Sequence, residues 1–348
     1  MSIYNSDVKA MVLYKTAPVD EAPLQLKDLP IPQPGPKQVL VKVSACGICH
    51  TELDEIEGRL PAKLPIVLGH QVIGSVDSLG AKAAKFKLSD RVGIAWINSA
   101  CRKCLFCQSG NENLCPEFKG TGCDANGGYA QYNVVCEDFA YPIPDRFNDC
   151  QAAPLLCAGA IGYRALRLTN LQDGQILGLF GFGASAHIVI QIAKHKFPGC
   201  KVFVFTRAGQ KTHQDWAANL GADWVGETGD TPPAKLNCAI DFTPAWKPVV
   251  EALRVLEKGG RVVINAIRKE EKDKDSLLEL SYPSHLWLEK ELKTVANITR
   301  CDAEEFLPLA AEILIVPQVQ EFALEQANEA LLKLSQGKIQ GAGVLRIS

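Results

Sequence analysis

Five residues able to bind a metal or move a proton stand within Ala45–Glu52: Cys46, Cys49, His50, Thr51 and Glu52. Read locally, the stretch is open to three chemistries. Cys46 and Cys49, with two residues between them, suit a redox pair, half of a zinc clip, or one ligand beside a bystander. A second group is less ambiguous. Cys101, Cys104, Cys107 and Cys115 are separated by two, two and seven residues. Four thiolates at these spacings close a tetrahedron on Zn²⁺ from one loop and leave no open coordination position, which makes the site structural. An iron–sulfur cluster is the rival metal reading, but the chain offers no second such cluster for electron relay.

Two further candidates are weak when taken alone. His70 lies between Gly69 and Gly74 at the edge of a β-branched run, where a lone histidine is more often structural than a ligand. Cys157, at the start of an apolar helical stretch, reads as a small buried hydrophobe.

The third chemical element is a glycine-rich turn. Gly181-Phe182-Gly183-Ala184-Ser185-Ala186 follows an apolar strand and opens an amphipathic helix. In that context the glycines let backbone approach a pyrophosphate, the helix N-terminus supplies N–H donors, and Ala186 still allows close helix–strand packing. A dinucleotide is the expected ligand. An NAD-binding chain carries Asp or Glu at the end of the next strand, to bond the ribose 2′-hydroxyl. Here that position is Thr206-Arg207, with Lys211 following. A guanidinium suits a 2′-phosphate, so NADP is favoured over NAD.

The elements that position these groups fall into two sets. Residues 8–44 read as strands broken by the Pro30–Pro36 stretch, and Thr51–Glu57 as a short helix stopped by Gly58 and Pro61. Further strands are expected at Ile73–Leu79 and Arg91–Trp96 and after Gly127-Gly128. From Gln175 onward, strands and helices alternate: strands at Gln175–Phe180, Lys201–Thr206, Ala239–Phe242 and Arg261–Ile267, helices to about Lys196, over 211–220 and at Trp246–Glu257, the last stopped by Gly259-Gly260. That alternation means a doubly wound parallel sheet. Two helices, Ala303–Leu314 and Leu324–Leu334, and a strand, Gly343–Ile347, complete the chain.

The 348 residues suffice for two domains; 47% are hydrophobic and 22% charged, ordinary for a globular protein. A net charge of -2 gives no electrostatic case for nucleic acid or an anionic membrane surface. No signal peptide and no transmembrane run is read, so a cytoplasmic location is expected. Thirteen cysteines in such a chain point to metal rather than disulfides.

In this order, the pieces resemble the zinc-dependent alcohol dehydrogenases of the medium-chain dehydrogenase/reductase superfamily. The resemblance rests on Gly47-Ile48-Cys49-His50-Thr51-Glu52, on Gly69-His70 through Gly74, on the four-cysteine loop, on Pro154 through Gly159 with Cys157, and on Gly181-x-Gly183. It implies an α/β chain with a GroES-like β-barrel catalytic domain from 1–160 and 302–348 and a Rossmann domain from 161–301. It implies Cys49, His70 and Cys157 as ligands of a catalytic zinc, with Cys46 outside the motif, and hence two zincs per chain. Thr51 matches the family's proton-relay hydroxyl, His50 a pyrophosphate contact, and Glu52 a carboxylate that orients the histidine ligand. Gln71 stands where most relatives have Glu. Asp54, read as exposed, stands where many have a relay histidine. Leu60 and Trp96 match positions of the substrate pocket. The implied reaction moves a hydride between NAD(P)(H) and an alcohol/carbonyl pair, in a homodimer or homotetramer. A polyol dehydrogenase and a non-enzymatic NADPH- and zinc-binding protein are the alternatives.

Overall fold

The strand Gln38–Ile48 is the spine of the metal-donor region. Only Lys42 is exposed and Gln38 and Ser44 are half-buried, so both faces of the strand are covered along most of its length. It pairs antiparallel with Val72–Leu79, Tyr132–Cys136 and Ala342–Arg346. Two irregularities, at Leu40/Val41 and Val43/Ala45, bend it and re-aim its last residues. The computed structural model describes residues 7–339 and 341–347.

Around this spine the sheet order is Ala140–Pro142, Arg91–Ile94, Val72–Leu79, Gln38–Ile48, Ala342–Arg346, Val319–Ala323. A small sheet of Leu24–Pro30, Asp7–Leu13 and Ile66–Val67 adds to it. Val41, Val43, Val72, Val76, Ile94, Tyr129 and Phe139 share one core. The compact unit containing these strands runs to Cys157 and resumes at Ile298.

The other unit is Ala158–Asn297. Six strands, all parallel, lie in the order Trp224–Glu227, Lys201–Thr206, Ile176–Phe180, Leu236–Asp241, Leu256–Ile264, Glu291–Thr294. The order reverses at Ile176–Phe180, so its C-terminal end is the topological switch point of a doubly wound sheet. Phe180 stacks on Phe205 with ring centroids 4.1 Å apart. The α/β class is therefore as expected.

Several boundaries differ from the sequence reading. The helix expected at Trp246–Glu257 is Lys247–Val255, and the strand that follows starts at Leu256 rather than Arg261. Gly259 and Gly260 do not merely stop a helix. They lie inside the strand, and a Cβ on Gly260 would come 2.8 Å from the Asn237 carbonyl oxygen of the neighbouring strand. The penultimate long helix is Arg300–Ile313, not Ala303–Leu314. Its start is a capping box: Thr299 Oγ1 accepts from Asp302 N at 3.3 Å, and Asp302 Oδ2 accepts from Thr299 N at 2.8 Å.

Candidate active site

Cys49 follows the spine strand in extended conformation and caps the helix His50–Ile56. Its thiol accepts the Thr51 N–H at 3.3 Å, while Glu52 Oε2 takes the Cys49 N–H at 2.8 Å. The capping box thus fixes the side chain before any metal arrives. Glu52 is fully buried, and its other oxygen lies 2.6 Å from His70 Nδ1. The ring is thereby turned so that Nε2 faces Cys49 Sγ at 3.7 Å. Gly69 makes this possible. Its φ is +97°, and a Cβ there would meet the Tyr129 ring at 2.4 Å. Cys157, which follows the turn Ala153–Leu156, completes the group. One donor atom each from Cys49, His70 and Cys157 lies within 4.8 Å of the others.

The spacing fits zinc. Zn–S and Zn–N bonds of ordinary length at a tetrahedral angle put sulfur and nitrogen about 3.6 Å apart, close to the Cys49–His70 separation. The donors' own fields favour their protonated forms. The Cys49 thiol is pushed well up, first by its bond with Cys157 and then by burial. Burial works against a charged His70, but the charges and hydrogen bonds of Glu52 and Cys49 together overcome it and raise the imidazole's pKa. Glu52 is lowered: His70 and the backbone N–H groups of Cys49 and Glu52 overcome the opposing burial. A cation among these donors would relieve the crowding of two thiols beside a carboxylate.

Cys46 is elsewhere. It is fully buried, its sulfur lies against Gly69 and Gly128, and it is not among the clustered donors. Thr51 is half-buried in the first helical turn and His50 exposed. Trp96 is half-buried and meets the His70 ring edge-on, centroids 5.1 Å apart at 86°. Leu60 is half-buried, and its N–H bonds Asp54 O at 3.0 Å. Gln71 is buried and packs its amide against Gly47, where a Cβ would come 2.6 Å from Oε1. Asp54 corrects the sequence reading. It is buried, not exposed, because Arg59 Nε reaches its Oδ1 at 2.5 Å. Glu55, one residue on, is also buried. Burial, then the charge of Glu52, pushes it up to about 9.

The four-cysteine loop likewise converges, with donor atoms of Cys101, Cys104, Cys107 and Cys115 within 4.8 Å of one another. Cys101 and Cys107 sulfurs are 3.9 Å apart, against about 3.8 Å for a tetrahedral zinc edge. Backbone N–H groups of Cys101, Cys104 and Glu117 point at the sulfurs of Cys115, Cys101 and Cys115 at 3.3–3.4 Å. Such donors, from Lys103 and Cys104, lower Cys101 to about 6 and so favour the thiolate that a metal needs. Buried Glu112 ties the loop to Arg300 through its N–H at 2.7 Å and its Nε at 3.1 Å.

In the parallel-sheet unit, Gly181 sits at the switch point with φ +83°, and a Cβ there would lie 2.8 Å from the Thr243 methyl. A Cβ on Gly183 would meet nothing within 4 Å, so space for close ligand approach is present. Phe182 is buried and meets Trp216 edge-on, Ala184 is exposed, Ser185 Oγ donates to Ala158 O at 2.8 Å, and Ala186 is buried at the start of the helix Ala186–Lys196. Thr206 is buried, Arg207 exposed, and Lys211 is paired with Asp215 at 2.9 Å. Sequence reasoning missed Glu227, whose Oε1 accepts the Gly209 N–H at 3.1 Å. It belongs to the next strand and carries no local motif.

Comparison with known proteins gives the family. Residues 35–145 match the model of the alcohol dehydrogenase GroES-like domain. A probable alcohol dehydrogenase, AdhA, of Mycobacterium tuberculosis is 40% identical over 346 residues, covering 98% of this chain and 97% of the relative. An alcohol dehydrogenase of Geobacillus stearothermophilus is 31% identical over 344 residues, covering 93% and 96%. Among solved structures, a cinnamyl alcohol dehydrogenase of Sorghum bicolor superposes with TM-score 0.82 at 25% identity over 98% of this chain and 97% of its own. An acetophenone reductase of Geotrichum candidum, solved with NAD, gives 0.83 at 25% over 99% and 98%. The chain belongs to the zinc-type alcohol dehydrogenases of the medium-chain dehydrogenase/reductase superfamily.

Proposed function

We propose that this chain catalyses the reversible, NADP-linked oxidation of an alcohol to an aldehyde or ketone. Cys49, His70 and Cys157 would hold a catalytic zinc; Cys101, Cys104, Cys107 and Cys115 would hold a structural one. The observation that carries the reading is the convergence of two thiols and one imidazole, the imidazole backed by Glu52 at 2.6 Å. Three protein donors leave one position open, the pattern of a catalytic rather than a structural zinc. Bound there, zinc supplies the Lewis acidity that lets an alcohol lose its proton near neutral pH.

The chain's own residues do the rest. Glu52 holds His70 in the tautomer that offers Nε2. Thr51, two residues after Cys49, takes the hydroxyl proton and hands it outward. Asp54 is not the next carrier, since Arg59 holds it in the interior. Gly181–Ala186 cradle the dinucleotide pyrophosphate, and Arg207 with Lys211 receives a 2′-phosphate. Trp96, fixed against His70, and Leu60 line the substrate side. The assembly is a homodimer or homotetramer. Among the described residues, no helix is long and apolar enough to cross a membrane.

The test is metal analysis combined with a spectrophotometric assay over a panel of small aldehydes and ketones, with NADPH and NADH in parallel. Two zincs per chain and faster NADPH oxidation are expected. Two zincs without turnover on any carbonyl would favour a binding protein, and equal efficiency with both cofactors would defeat the role given to Arg207. Preference for sugar alcohols in the reverse direction would favour the polyol dehydrogenase.

A further inference from the structure

The end of the second strand of the parallel sheet is shared with a carboxylate from the third. Thr206 and Glu227 are register partners at the C-terminal ends of adjacent strands. Thr206 is occupied within the protein. Its Oγ1 accepts from Gln214 Nε2 at 3.0 Å, and its carbonyl accepts from Thr228 N at 2.8 Å and Thr228 Oγ1 at 3.1 Å. Glu227 folds its exposed side chain back over the loop that follows Thr206, taking the Gly209 N–H at 3.1 Å. Gly209 has φ +76°, which brings the loop round toward that carboxylate. The same loop carries Arg207, exposed and without an ion-pair partner among the described residues. Lys211 already has Asp215. One unpaired cation and one carboxylate therefore meet on the short loop where the adenosine ribose of a dinucleotide lies in a doubly wound sheet.

We propose that Glu227 is a specificity-determining residue for the ribose 2′ position, opposing a 2′-phosphate and favouring a free 2′-hydroxyl, so that cofactor choice is set by Arg207 against Glu227. The inference rests on the dinucleotide reading of Gly181–Ala186. A like charge at loop distance selects by repulsion, and a guanidinium by attraction. The usual acid for the 2′-hydroxyl stands on the second strand itself. Here the second strand ends in Thr206-Arg207, and the acid arrives from its neighbour.

The experiment is calorimetric titration of the full chain with 5′-AMP and 2′,5′-ADP, for the parent, Glu227→Gln and Arg207→Gln. Glutamine keeps an oxygen to accept the Gly209 N–H and removes only the charge. Glu227→Gln should raise the affinity ratio of 2′,5′-ADP over 5′-AMP about fivefold, the effect of one unit charge at high dielectric near a phosphate. A residue that merely supports the loop would shift both nucleotides alike, so an unchanged ratio overturns the proposal. Arg207→Gln should lower the ratio. If it does not, while Glu227→Gln still raises it, the NADP preference falls and the role of Glu227 stands. Failure of the parent to bind either nucleotide overturns both.

Discussion

Glu52 and His70 are joined at 2.6 Å in the interior, and the same carboxylate caps the residue that offers the first thiol, Cys49. One side chain thus orients two of the three converging donors. Glu52→Ala removes both supports at once. We expect zinc affinity at the three-donor site to fall about 10–100-fold, while one zinc per chain, on the four-cysteine loop, is retained. Competition against a chromogenic chelator reads both; loss of neither metal would show that Glu52 is dispensable.

Cys46 and Cys49 are close in sequence and separate in role. Cys49→Ser should reduce the zinc content from two to one and abolish turnover. Cys46→Ala should keep both metals and most activity, at a cost of about 1 kcal/mol for the small void it leaves between Gly69 and Gly128. Metal loss in the Cys46 variant would mean that the ligand assignment is inverted.

Gln71 packs against Gly47 in a region that already holds the buried acids Glu52, Asp54 and Glu55. Gln71→Glu adds a further negative charge beside the metal donors. Slower zinc exchange and a displaced pH–rate profile are expected. Behaviour identical to the parent in both measurements would remove Gln71 from the metal's environment.

Glu55 is pushed up from 4.5 to about 9 by burial, helped by the charge of Glu52. The native chain then holds a proton that the unfolded chain has released. Between about pH 4.5 and 9 the native state binds more protons, so stability must fall as pH rises, by at most about 1.4 kcal/mol per pH unit. Glu55→Gln, neutral at every pH, should flatten that slope. Thermal midpoints of both proteins from pH 5 to 9 give the comparison, and parallel curves would rule out a protonated Glu55.

The parts of this molecule legible in the sequence are those whose chemistry is local. The thiols of Cys101–Cys115 share one short loop, and their approach follows from spacing alone. Gly181–Ala186 announces itself because a buried strand precedes it and a helix follows. His70 and Cys157 carry almost no local signal, and only the resemblance links them to Cys49. What could not be read depends on contacts between distant segments or on faces lacking a pattern. Asp54 looks like a surface acid until Arg59 folds back onto it. Glu227 needs a parallel register to meet Gly209. The edge strand Glu291–Thr294 has all four residues exposed, so no alternation marked it. Gly259-Gly260 imitates a helix stop because the crowding that requires glycine lies on the neighbouring strand.

The spine strand has a further consequence for the order of assembly. Its pairing with Ala342–Arg346 sets Cys46 opposite Leu345 and Gly47 opposite Val344. The continuous unit Ala158–Asn297 leaves the ribosome before that partner is made and has its whole sheet in hand. The metal-donor unit must wait, its central strand lacking a neighbour until translation has passed the entire insert. During synthesis this leaves an unpaired strand edge, the interval in which a nascent chain is most exposed to mispairing.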